Sequence, residues 1–185
     1  MARHPDIQRV LLSERVLRQR VRELGRRISR DYAGRDILVV AVLRGGVIFL
    51  ADLIRTLSVP CALDFMAVSS YEGTTSTGAA RLTLDLNKNP EGKHILLVED
   101  VADTGLTLAR LRRILKARRV ASLRTCALLD KPSGRRVPLK LDYVGFRLPP
   151  GFVVGYGLDY EEKYRNLPYV GLLKPSVYKR KATSK

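Results

Sequence analysis

The 185-residue chain holds two cysteines and two histidines, and none of its apolar runs approaches the roughly 18 residues that a membrane-spanning helix needs. Cys61 and Cys126 stand far apart, each in an apolar stretch that reads as a strand, and no CxxC spacing occurs. With only His4 and His94 beside them, a zinc site has almost no material, so two buried free thiols are expected. Scarce histidine also turns any general base toward a carboxylate. No GxxxxGK[ST] segment is present, which excludes a Walker phosphate loop. The first residues, MARHPDIQRVLLSER, carry charge throughout and lack the apolar stretch of a signal peptide. A soluble cytoplasmic protein without membrane association is expected.

What is abundant is positive charge. Lys and Arg number 34 against 18 Asp and Glu, a formal charge of +16. The arginines are spread over residues 3–35, cluster again from Arg110 to Arg119, and give way to a basic tail from Lys174 to Lys185. Such a balance suits nucleic acid or the steering of small polyanions into a cleft, and charge by itself separates neither. An apolar content of 45% excludes a disordered chain. At this length one domain can bury roughly 70% of its unfolded surface.

Hydrophobic periodicity outlines the organisation. Leu17, Val21, Leu24 and Ile28 recur at helical steps over 13–31, with Ser13 placed to cap. The continuous apolar run ILVVAVL (37–43) reads as a strand buried on both faces. After Arg44-Gly45-Gly46 a helix is expected over 47–57, and Pro60 precedes a strand at CALDFMAVSS. SYEGTTSTGAA (70–80) reads as a mobile loop. RLTLDLN (81–87) alternates like a half-exposed antiparallel strand, and HILLVED (94–100) is another buried one. A helix over 106–118, a strand over 120–129, and short strands at YVGF (143–146) and FVVGYG (152–157) complete the reading. Alternating strands and helices predict an α/β fold, a mostly parallel sheet flanked by helices on both faces. A single domain over 1–175 is expected, then a basic tail over 176–185 whose composition suits disorder.

Ligands of open α/β sheets bind beyond the carboxyl ends of the strands. Two strands here end in unusual residues, LRGG and VEDVADTGLT. The second delivers Glu99, Asp100, Asp103, Thr104, Gly105 and Thr107 onto a helix start, where free N–H groups and hydroxyls can cradle phosphate. Asp103-Thr104-Gly105 alone would be an ordinary helix cap. Three carboxylates within five residues repel one another unless a divalent cation or sugar hydroxyls lie between them. The pattern therefore points to a magnesium-bound phosphorylated sugar.

VEDVADTGLTL closely resembles the phosphoribosyl-pyrophosphate motif of the type I phosphoribosyltransferases. VLRGGVIFLADL, DFMAVSSYEGTTSTG and DYVGFRLPPGFVVGYGLDYEEKYRNLPYVGLL resemble the hypoxanthine(-guanine) branch, in order from about residue 7 to 173. That resemblance implies the type I fold with a flexible lid loop and a small hood. It also implies purine salvage: Mg²⁺-dependent transfer of ribose 5-phosphate from phosphoribosyl pyrophosphate to hypoxanthine or guanine, giving IMP or GMP and pyrophosphate. In the same way it implies Asp103 as general base, and Glu99, Asp100, Asp103, Thr104, Gly105, Leu106 and Thr107 around the ribose and its 5′-phosphate. Arg44, Gly45 and Arg165 would hold pyrophosphate. Lys131, Phe152, Val153 and Asp159 would form the purine site, and Ser70 and Tyr71 would belong to the lid. Glu99, Asp100 and Asp159 would serve the metal. A cis peptide at Leu43–Arg44 and a homodimer or homotetramer follow from the same likeness. Relatives often carry lysine where Arg44 stands.

Two rivals share the fold. Pyrimidine-operon regulators bind RNA and act on uracil, but their motif usually carries a bulky residue at the position of Asp103. A xanthine-preferring or adenine enzyme is the other. A lysine donor to a 6-oxygen disfavours adenine, whose 6-amino group cannot accept that bond. The net charge leaves RNA binding as an additional role to test by its salt dependence.

Overall fold

The computed structural model describes residues 3–69 and 81–178. Ile7–Leu12, too irregular in pattern to read as an element, forms strand β1. Helix α1 (Glu14–Asp31) follows, started by the Ser13 hydroxyl, which accepts from the Val16 N–H. Its Leu17, Val21, Leu24 and Ile28 are buried while the opposite face is arginine. The apolar run is β2 (Ile37–Leu43), buried along its length except at Leu43. Helix α2 (Gly46–Ile54) ends before the expected residue 57, because Thr56 and Leu57 donate into turns closed by Leu53 and Ile54.

The chain continues through β3 (Cys61–Ser69), β4 (Arg81–Leu84), β5 (His94–Ala102), α3 (Leu106–Ala117) and β6 (Ser122–Asp130). A 3-10 turn at Pro132–Gly134 precedes β7 (Tyr143–Arg147), β8 (Val153–Val154), β9 (Val170–Leu173) and α4 (Pro175–Tyr178). Six strands form one sheet in the order β4-β3-β2-β5-β6-β7. All neighbours are parallel except β4, which runs antiparallel to β3 as its alternation predicts. On one face Ile37, Val39 and Ala41 pack with α1 and α2. On the other, Leu38, Val40 and Val42 meet Leu108, Leu111 and Leu115 of α3. Burying each of those three leucines stabilises by about 1.5–3 kcal/mol. The expected α/β architecture is therefore present, with helices on both faces.

A second, three-stranded antiparallel sheet, β1-β9-β8, stands apart as the hood. Its core is Ile7, Val154, Tyr169 and Leu173. Only two residues of the expected 152–157 strand pair within it; Gly155–Leu158 turns instead, with Tyr156 at φ 52°. Cys61 also departs from expectation. It begins β3 at the strand's exposed end, so only Cys126 is buried. The tail expected from residue 176 starts as helix, since α4 runs to Tyr178. No helix among the described residues is long and apolar enough to cross a membrane.

Candidate active site

Parallel strands in register bring their carboxyl ends to one edge. Ala102 of β5 pairs with Asp130 of β6, so the next residues, Asp103 and Lys131, emerge side by side. The Lys131 N–H donates to the Ala102 carbonyl at 3.0 Å, and its Nζ donates to Asp103 Oδ2 at 2.9 Å. Lys131 is 14% exposed and Asp103 43%. Behind them a Cβ on Gly134 would collide with Asp103 Oδ1, so only glycine lets that turn lie against the carboxylate. Arg136 N–H donates to the Thr104 carbonyl, and the Arg135 guanidinium bonds the Ala102 carbonyl and the Asp130 carboxylate. The loop after β6 thereby braces the loop after β5.

That loop opens α3. Gly105 sits at φ 82° in the cap position and no side chain caps the helix. The first-turn N–H groups, which no helix satisfies internally, can meet an anion, all but the one that Thr104 engages. The Thr104 hydroxyl accepts from the Leu106 N–H at 3.4 Å. A hollow of about 240 Å³ lies over this turn, lined by Glu99, Asp103, Thr104, Gly105 and Thr107. Leu106 itself is 48% exposed and is not among the residues that line this hollow.

Glu99 and Asp100 are both buried at the end of β5. Burial pushes the Glu99 carboxyl well above its usual range, and the neighbouring Asp100 charge and hydrogen bond push it further. Asp100 is raised by burial too, offset in part by the Glu99 bond, the Val101 N–H and the Arg165 charge. Among the described residues no ion pair reaches Glu99. This all-oxygen pair suits magnesium, which takes one or two carboxylates and completes its shell with water and phosphate oxygens. No group of three or more His, Cys, Asp and Glu is gathered into a protein cage among the described residues.

A second hollow, about 350 Å³, shares Asp100, Val101 and Asp103 with the first. Lys131, Phe152, Val153, Asp159, Arg165 and Arg44 border it. Arg165 holds Asp159 at 2.9 Å and donates to the Gly157 carbonyl at 2.8 Å. Arg44 follows a cis peptide after Leu43, as the resemblance implies. A Cβ on Gly45 would collide with the Asp100 carboxylate, so the loop after β2 closes directly on the acidic pair. A larger hollow of about 770 Å³ beside Arg26 and Arg30 of α1 contains none of these strand-end groups.

The candidate residues of the cleft thus gather at one sheet edge, whereas Ser70 and Tyr71 lie outside the described residues. Sequence reading passed over Val101 and Leu158, which line the second hollow, and Glu162, which pairs with both Arg44 and Arg165. Val101 stood inside the acidic motif but was overshadowed by its carboxylates. Glu162 carried no signal, being one of two adjacent glutamates in a polar stretch.

The family model for the phosphoribosyl transferase domain matches residues 11–161. The hypoxanthine-guanine phosphoribosyltransferase of Bacillus subtilis (strain 168) is 47% identical over 179 residues, 96% of this chain and 99% of that protein. The chain belongs to the hypoxanthine-guanine phosphoribosyltransferase family. A crystal structure of a Staphylococcus aureus hypoxanthine phosphoribosyltransferase superposes with a TM-score of 0.90 at 45% identity, covering 95% of this chain and 96% of that one. A bifunctional TilS/HprT protein of Listeria innocua is 50% identical over 176 residues, and the chain spans 27% of its length. The glycine turn after β5, the acidic pair and Lys131, all implied by the family resemblance, border two adjoining hollows.

Proposed function

We propose that this chain is a purine-salvage enzyme, transferring the 5-phosphoribosyl group of phosphoribosyl pyrophosphate to hypoxanthine and guanine and releasing pyrophosphate. The observation that carries this reading is the Lys131–Asp103 pair, set between the phosphate loop and Phe152. Lys131 donates to the 6-oxygen of the base, and Phe152 stacks on its ring while Val153 meets its edge through the backbone. N9 attacks C1′ as the C1′–O bond breaks and its electron pair leaves with pyrophosphate. Asp103 takes the proton that the purine gives up at N7.

The N–H groups and hydroxyls of residues 103–107 hold the 5′-phosphate, and Glu99 and Asp100 meet the ribose hydroxyls. Arg44, Gly45 and Arg165 hold the departing pyrophosphate. Magnesium, when bound through Glu99, Asp100 and Asp159, neutralises charge on the pyrophosphate. One catalytic domain in a cytoplasmic homodimer or homotetramer completes the reading. The exposed Val47 and Ile48 of α2, beside Arg44, support self-association.

A coupled spectrophotometric assay with phosphoribosyl pyrophosphate and Mg²⁺ tests this across hypoxanthine, guanine, xanthine, adenine and uracil. Nucleotide formed from hypoxanthine or guanine, and abolished by EDTA, is the expected result. Silence with both purines and turnover of uracil would overturn it.

A further inference from the structure

The C-terminal helix reaches the cleft through one ring. Phe152 lines the second hollow and is 38% exposed. Tyr178, the last residue of α4, stacks on it with centroids 5.4 Å apart and planes 27° from parallel. Tyr160 meets the same ring edge-to-face at 5.3 Å. Neither tyrosine lines the hollow, so both support Phe152 from outside the volume a base would fill. Tyr178 is anchored in turn: α4 packs on the hood core, and the Lys174 N–H that precedes it bonds the Asp6 carbonyl at 2.9 Å.

The Phe152 carbonyl accepts from the Leu173 N–H at 2.8 Å, so the backbone is tied to β9 and the half-exposed ring is what remains to be placed. A half-exposed aromatic side chain loses rotamer freedom when a base stacks on it, and that loss subtracts from affinity. A stacked neighbour removes the freedom beforehand.

We infer that Tyr178 is a positioning residue for purine recognition, presetting the Phe152 ring so that the base meets it already oriented. The inference rests on the reading of Phe152 as the stacking residue. It gives the start of the basic tail a role: α4 supplies the backing of the purine site. Offset aromatic pairs are worth enough to shift affinity about three- to tenfold.

The test compares hypoxanthine KM, phosphoribosyl-pyrophosphate KM and kcat in Tyr178→Ala, Tyr178→Leu, Tyr178→Phe and Phe152→Ala, on the full chain. Tyr178→Ala and Tyr178→Leu should raise hypoxanthine KM about three- to tenfold, with the other two constants changed less than twofold. Tyr178→Phe should restore the parent KM, and Tyr178→Ala should add nothing in a Phe152→Ala background. Tyr178→Leu keeps apolar volume under the hood, so it reads the stack even where the alanine variant fails to fold. Unchanged or lowered hypoxanthine KM in Tyr178→Leu, beside a raised KM in Phe152→Ala, overturns the role of Tyr178 alone. Unchanged KM in Phe152→Ala removes Phe152 from the purine site and the inference with it.

Discussion

Lys131 and Asp103 form one ion pair at 2.9 Å. The lysine proposed to read the base and the carboxylate proposed to take its proton therefore neutralise each other before substrate arrives. Asp103 is 43% exposed and Lys131 14%, so the pair is solvated from the carboxylate side only. Because the ammonium is the more buried partner, a base that parts the pair must offer it a new acceptor, which the 6-oxygen of the proposed substrate does.

Replacing Asp103 by asparagine keeps the shape and removes the base. Turnover should fall roughly 10²-fold, with the melting temperature close to that of the parent. Steady-state kinetics beside a thermal melt decides it, and an unaltered kcat would take Asp103 out of the mechanism.

Lys131→Ala removes a charged donor to the 6-oxygen, a bond worth about 1.5–3 kcal/mol. Hypoxanthine KM should rise at least tenfold, and the preference for hypoxanthine over adenine should shrink. Equal KM values for parent and variant would count against this role.

Gly134→Ala places a methyl group where Asp103 Oδ1 lies. The half-exposed carboxylate can rotate aside, so kcat should drop while the fold survives. Because the effect runs through Asp103, the substitution should cause no further loss in an Asp103→Asn background. Additive losses would show that the turn acts by another route.

Tyr164 supplies a pH test of the hood. Burial, then its hydrogen bond to Asp6, pushes its phenol up to about 12. The unfolded phenol titrates near about 10. A raised folded value means that the native state holds the proton more tightly, so the contribution is complete below pH of about 10. It is lost as pH rises from there through about 12. Denaturant melts across that window should show a steeper fall for the parent than for Tyr164→Phe; parallel curves would exclude the contribution.

The central sheet was legible because its strands are buried on both faces. A run such as ILVVAVL, or the one ending in Glu99 and Asp100, is short, apolar and bounded by turn residues, as a doubly buried strand is, and carboxylates at the end of such a run stand out. Ser13 and the leucine stripe of α1 likewise state their own structure locally. Of the hood's strands only β8 was legible, inside the run expected to be a strand over 152–157. Ile7–Leu12 pairs with Val170–Leu173 from the far end of the chain, and no local period encodes a partner about 160 residues away.

The sequence alone determined the α/β class, the glycine turn that opens α3 and the carboxylates at the strand end, since all of these arise within short stretches of chain. The tertiary structure decided which of them meet. The register of Ala102 against Asp130 sets Asp103 beside Lys131, and chain closure through the hood sets Tyr178 on Phe152. Both contacts depend on strand pairing and packing between distant segments, interactions that exist only once the chain has folded.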